Sequence, residues 1–242
     1  MLMTSRLAVR AIGLLVIAEA LLIFAPLIIL GAAIEWPASL DFPPAMVLPM
    51  ILEHLDQVRL GYGIYLLYSL LWIVVGASIA WLANGQSERP SVLVSLAVSL
   101  GVASALARAI GIIRWLTAST DLAETYAAPQ DPVAQRAIEI TQTAVNSWGG
   151  SIGEVLGVAL LASAWLFTIS LLIVTKKHLP PLLGYIGFVT AIIVALPACE
   201  LFGFEGISIA MTTTAMHIWL LALGVIIIRQ TWTKPKVPAL VG

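Results

Sequence analysis

The chain is poor in charge: Asp, Glu, Lys and Arg make up only 10% of its 242 residues, and the formal net charge is −1. With 60% of the residues hydrophobic, too little polar surface exists to cover a water-soluble globule of this length. The solvent must be mainly lipid. The near-zero charge balance lacks the basic footprint that nucleic acid requires, so no nucleic-acid partner is expected. Cysteine is confined to Cys199, which excludes an intrachain disulfide and any thiolate cluster within one chain. His54, His178 and His217 fall at different levels of the expected bundle, so neither a metal site nor axial haem ligation is expected. A Gly-rich phosphate loop, an intramembrane His-Glu-x-x-His, a nucleophile elbow and a Schiff-base lysine in the last span are also missing. No catalytic motif and no cofactor follow from the residues.

What the sequence does have is long apolar runs. A hydrocarbon core about 30 Å thick takes roughly 20 apolar residues of helix, because only a helix or a closed barrel satisfies the backbone there. Six stretches qualify, Ala11 to Ile34, Leu60 to Ala83, Val92 to Leu116, Ile152 to Val174, Leu182 to Cys199 and Ile207 to Ile228. They are uniformly apolar and not alternating, which excludes barrel strands. The first exceeds the roughly 7–15-residue core of a signal peptide and is read as retained. The expected fold is all-α, a polytopic membrane helix bundle of six transmembrane helices forming one domain over residues 1–242.

Orientation follows from basic residues, which are held in cytoplasmic loops. Arg6, Arg10, Arg89, Lys176, Lys177, Arg229, Lys234 and Lys236 fall on one side of the six spans, and only Arg59 and Arg136 in the opposite loops. Both termini are therefore expected in the cytoplasm. Acidic residues collect on the other side, with only Glu88 inside, and Glu205 and Glu200 are among the external ones. Trp36, Trp115 and Trp148 are expected at the outer interface, Trp81 and Trp232 at the inner one.

Two external connections carry helical patterns. Met46, Met50, Ile51, Leu55 and Val58 recur at helical spacing after Pro43, Pro44 and Pro49, which predicts a short helix lying in the outer interface. Beyond Trp115 the helical spacing persists to Tyr126, then breaks at Pro129-Gln130-Asp131-Pro132, where Asp131 before Pro132 is a good amino-terminal cap. A continuous helix from Val92 to Tyr126 would be on the order of 50 Å long at about 1.5 Å per residue. Spans three and four are thus expected to form an extended external hairpin, bending near Gly149 and Gly150.

Four charges lie inside the spans: Glu19, Arg108, Arg114 and Glu154. Each costs about 3 kcal/mol or more at the bilayer centre unless it is paired, hydrated or able to snorkel. Arg114, next to Trp115, can lift its guanidinium to the headgroups. Folding the hairpin about residues 130 and 131 sets position 108 near position 153, which predicts an Arg108–Glu154 ion pair, serving either hairpin packing or a ligand. Gly101, Ser104, Arg108 and Gly111 form one stripe that faces protein, and Gly149, Gly153 and Gly157 allow close helix packing. Tyr62, Tyr65 and Tyr68 are expected at the level of that pair. Glu19 has no partner on its own helix, and His217, at comparable depth, is the group with which it can share a proton.

The strings Arg10-Ala11-Ile12-Gly13-Leu14-Leu15, Arg59-Leu60-Gly61-Tyr62-Gly63 and Leu179-Pro180-Pro181-Leu182-Leu183-Gly184 resemble a family of bacterial six-helix membrane proteins catalogued only as a domain of unknown function. The resemblance implies the same bundle architecture and a bacterial cytoplasmic membrane, and it imports no activity. Three readings of function stay open on the residues alone. The first is binding or transport of a small anionic or amphipathic ligand in an outward-facing polar cavity lined by Arg108, Glu154, Glu19, His217, Tyr62 and Tyr65. The second is an accessory or sensory subunit that binds a protein partner through the hairpin. The third is a lipid-modifying enzyme with Glu19 or Glu154 as general base. Membrane lipids are partners in all three.

Overall fold

A computed structural model describes residues 6–87, 91–128, 131–204, 206–207 and 209–230. Glu88, Arg89, Pro129, Gln130, Glu205, Trp232, Lys234 and Lys236, which enter the topology and hairpin expectations, lie outside the described residues. Among the described residues there are helices and no strand. Six helical stretches are long and apolar enough to cross a membrane: Arg6–Ile34, Leu55–Ala83, Val92–Ala127, Pro132–Lys176, Pro181–Phe202 and Ile209–Gln230. The chain is a multi-pass membrane helix bundle.

The first stretch is divided at Ile23 into α1 (Arg6–Leu22) and α2 (Phe24–Ile34). Pro26 has no backbone N–H to continue the ladder, and its ring disfavours an unbroken helix there. The short helix α3 (Pro44–Glu53) forms where the proline-bounded pattern predicts it. It does not lie along lipid, however: Val47, Leu48 and Ile51 are buried in the protein, among them Leu48 and Ile51 completely. The apolar face is needed to cover the hairpin. After α3 comes α4 (Leu55–Ala83), which starts earlier than its apolar composition indicates because the helix continues past the membrane-apolar run.

The hairpin is built from α5 (Val92–Leu116), α6 (Ala118–Ala127) and α7 (Pro132–Gly150). The expected unbroken helix to Tyr126 is interrupted at Thr117, whose φ of −129° and ψ of −91° are not helical. Asp131 caps α7 as its position predicts, Oδ1 accepting from the Val133 and Ala134 N–H groups at 2.9 and 2.8 Å. At Gly149-Gly150 the chain does not stop or fold back. It runs on as a π-helical segment, Ser151–Ala162, and then as α8 (Ser163–Lys176). Helix α9 (Pro181–Ala195) ends in a 3₁₀ stretch, Leu196–Phe202, and α10 (Ile209–Gln230) returns across the bundle.

Without a hydrophobic force between helices in lipid, close packing must hold them together, and small residues permit it. Gly111 and Gly153 bring α5 and the π segment into backbone contact, since a Cβ on Gly111 would lie 2.7 Å from the Gly153 Cα. Two apolar clusters result. One, toward the Lys176 end, is centred on Trp72, Trp165 and Trp219, with ring centroids 4.6 and 6.5 Å apart in succession. The other, toward the hairpin, joins Leu30, Ile34, Leu48, Ile51, Tyr62 and Trp115. Trp115 is therefore not a belt residue: it is buried and stacks on Tyr62 with centroids 5.1 Å apart. Trp148, on α7, is 65% exposed.

Candidate ligand-binding site

Between the two clusters lies a cavity of about 200 Å³. Its walls are mostly apolar, and its polar groups include Arg108, Arg114, Glu154, Tyr62, Tyr65, Tyr68, Thr213, Thr214 and His217. The stripe of Gly101, Ser104, Arg108 and Gly111 faces protein throughout, all four being buried. Ser104 Oγ donates to the Gly157 carbonyl at 2.7 Å, which ties α5 to the π segment just below the cavity.

The register of the hairpin differs from the expected one. Gly111, not Arg108, stands against Gly153, and the Arg108 stem lies against Gly157, where a Cβ would be 3.0 Å from Arg108 Cγ. The displacement is about one helical turn. Its physical sources are the interruption at Thr117 and the wider turn of a π-helix, which changes the residues presented to a neighbour. The Arg108–Glu154 pair is consequently not formed. Glu154 Oε1 instead lies 3.8 Å from Arg114 Nη2.

Arg114 corrects a second expectation. It does not snorkel to headgroups; it is 8% exposed. Its Nη1 donates to the Gly111 carbonyl at 2.6 Å and its Nη2 to Asn146 Oδ1 at 3.2 Å. Asn146 Nδ2 in turn donates to the Leu40 carbonyl at 2.8 Å, so Arg114 ties α5, α7 and the loop before α3 together. Gly149 leaves space for the arginine stem, a Cβ there meeting Arg114 Cδ.

Arg108 has a different environment. It is 4% exposed, and its Nε and Nη2 have no hydrogen-bond partner. Its guanidinium carbon is 5.4 Å from the Tyr68 ring centroid and 5.1 Å from that of Trp72, two contacts in which aromatic faces partly replace water. Tyr68 also meets His217: its hydroxyl is 3.0 Å from Nε2, while Nδ1 is 2.8 Å from the Thr213 carbonyl. A carbonyl can only accept, so Nδ1 carries a proton, and in the neutral ring Nε2 accepts from the phenol. The expected Glu19–His217 contact is thus replaced by Tyr68–His217. Glu19 is fully buried on α1 without a hydrogen-bond partner for either oxygen, and Arg108 is the cation whose field reaches it.

Tyr65 sits edge-on to Trp36 at 5.6 Å and 5.9 Å from Tyr68, while the buried Tyr62 hydroxyl is unpartnered. Sequence reasoning placed Tyr62, Tyr65 and Tyr68 near Arg108 and Glu154, left Tyr68 out of the expected cavity lining, and assigned no role to Trp72. The spacing of Tyr65, Tyr68 and Trp72, three and four residues apart, carries that signal, because such residues share one helix face.

A second, larger cavity of about 1090 Å³ opens at the hairpin end and is lined by Glu35, Asp41, Gln142, Asn146 and Glu200 among others. Arg114, Glu154, Pro37, Leu40, Ile209 and Ala210 line both cavities. The Arg114–Glu154 contact therefore stands between a polar vestibule and the smaller, mostly apolar chamber.

With this geometry in view, the chain can be set beside known proteins. A family model described as a domain of unknown function, DUF4386, matches residues 11–228. The chain belongs to the DUF4386 family. Comparison with curated proteins and with solved structures gave no match. The matched stretch of this DUF4386 protein begins within α1 and ends within α10, so both cavities lie inside it.

Proposed function

We propose that the protein binds, and as a transporter would carry, a small anionic or amphipathic ligand in the chamber beside Arg108. One observation carries this reading: a guanidinium within the membrane part of the fold, 4% exposed and lining a cavity, with Nε and Nη2 unpartnered. Such a group is costly in an apolar surrounding unless something completes it. A carboxylate or phosphate is the natural complement, because the planar fork of arginine offers two parallel donors. Tyr62, whose hydroxyl is also unpartnered, supplies a further donor in the same chamber. On the expected topology the vestibule opens to the external side of a cytoplasmic membrane.

The test is the composition of the purified protein. Solvent extraction followed by mass spectrometry is expected to recover an anionic compound in near-stoichiometric amount from wild-type protein and at least tenfold less from Arg108→Met. Equal recovery from both would defeat the proposal.

A second reading is favoured by the surface of α7, where Val133, Ile140 and Trp148 are 80%, 57% and 65% exposed. They recur near every seven to eight residues, on one side of the helix. Such a stripe suits a protein partner, as expected of an accessory subunit. Under that reading a partner co-purifies from native membranes and is lost in the Val133→Asp/Ile140→Asp variant; retention of the partner there sinks it.

A further inference from the structure

The chamber has an apolar side that the anion-binding reading leaves unused. Helices α1 and α10 meet closely at Gly13 and Gly224, where a Cβ on Gly13 would lie 3.1 Å from the Gly224 carbonyl oxygen and one on Gly224 3.0 Å from that of Gly13. Past Ile23 the chain changes course, and α2 packs on α4 instead, with Leu30 filling the space beside Gly61. Helix α10 does not follow. Its close packing is on α1 and hardly extends to α2, and Phe24 and Leu27 on α2 and Ala210 and Thr214 on α10 all line the chamber. Phe24 and Leu27 are 48% and 37% exposed, on a surface that faces lipid in a membrane-spanning helix.

We propose that the gap between α2 and α10 is a lateral portal through which a single-chain anionic amphiphile enters from the lipid, its head group at Arg108 and its chain lying between the two helices. The inference rests on the anion-binding reading and adds to it the ligand class and the route. Size supports a single chain. A chamber of about 200 Å³ is smaller than the roughly 300–1,000 Å³ pockets that enclose drug-sized ligands. It can house a head group and the first part of one chain, and the remainder must extend outward. Among its apolar lining residues, Phe24 and Leu27 reach the lipid-facing surface, 48% and 37% exposed. The other mouth, through Arg114 and Glu154, leads to a vestibule bearing Glu35, Asp41 and Glu200, which repels a free anion arriving from water. An amphiphile dissolved in the bilayer avoids that field.

The experiment is photolabelling of the full-length protein in lipid nanodiscs with a palmitate analogue that carries a diazirine at the far end of its chain, followed by peptide mapping. Wild-type protein is expected to be labelled at residues 23–27 and 209–214. Unlabelled palmitate should compete at least tenfold better than acetate or inorganic phosphate. Thr214→Trp, at a position that lines the chamber and not the vestibule, is expected to reduce labelling at least fivefold while eluting as a monodisperse species. If acetate or phosphate competes as well as palmitate, or if the label maps to vestibule residues 142–151, the lateral route is wrong and anion binding survives. If labelling at 23–27 and 209–214 persists unchanged in Arg108→Met, the portal stands and the anion-binding reading fails. Uniform labelling of all lipid-facing helices, insensitive to Thr214→Trp, overturns the portal.

Discussion

Arg114→Met is expected to destabilise the folded protein by about 2–4 kcal/mol, the range for losing more than one hydrogen bond made by a charged donor. The side chain is buried, donates to the Gly111 carbonyl and to Asn146, and through Asn146 links α5 and α7 to the Leu40 carbonyl. Methionine preserves much of the stem beside Gly149 but supplies no donor. Glu154→Gln, by contrast, should cost less than about 1 kcal/mol, as partly hydrated ion pairs do. Its side chain is 35% exposed, and the pair is long at 3.8 Å. Thermal unfolding of the purified protein in one detergent compares the two variants directly. Similar losses would mean that the pair, and not the hydrogen-bonded arginine, secures the hairpin.

The second large effect concerns Glu19 and Arg108. Each is buried, each has unpartnered polar atoms, and Glu19 lies in the field of Arg108. No ion pair or hydrogen bond joins the two, so neither is offset by the other at contact. An apolar group of similar volume at either position removes a buried polar group without a partner, and such a group costs about 1–3 kcal/mol. Glu19→Leu and Arg108→Met are therefore each expected to raise the thermal midpoint, and the double variant to raise it further. A midpoint lowered by either single change would show that the two groups compensate each other. A gain in stability together with loss of the extracted anion would fit a site kept at a cost to the fold.

The parts of this molecule that could be read from its residues are those set by local chemistry. The six apolar runs, the proline-bounded α3, the Asp131 cap and the protein-facing stripe around Arg108 each depend on a few neighbouring side chains. Pairings across helices were less legible. Setting Arg108 opposite Glu154 assumed straight α-helices on both arms of the hairpin, and neither arm is one: α5 ends at Leu116 before the break at Thr117, and Ser151–Ala162 winds as a π-helix. Nothing in Ser151-Ile152-Gly153-Glu154 announces the wider turn. Arg114 was misplaced for a related reason. Its adjacency to Trp115 signals an interface only if that indole meets lipid, whereas Trp115 stacks on Tyr62 beneath the cover supplied by α3. For His217, depth alone nominated Glu19; the facing phenol of Tyr68 depends on the rotation of α4, which its nearly uniform apolarity does not fix.

The two arginines on α5 also bear on how the protein is made. A segment with two guanidinium groups in its second half is a poor passenger for the insertion machinery, at about 2.5–3.5 kcal/mol for each one placed centrally. The arm that follows brings what offsets this cost: Asn146 and Glu154 for Arg114, and glycines that admit both arginine stems. Stable residence of the third span in the bilayer is thus tied to synthesis of the fourth, and the two settle as one unit.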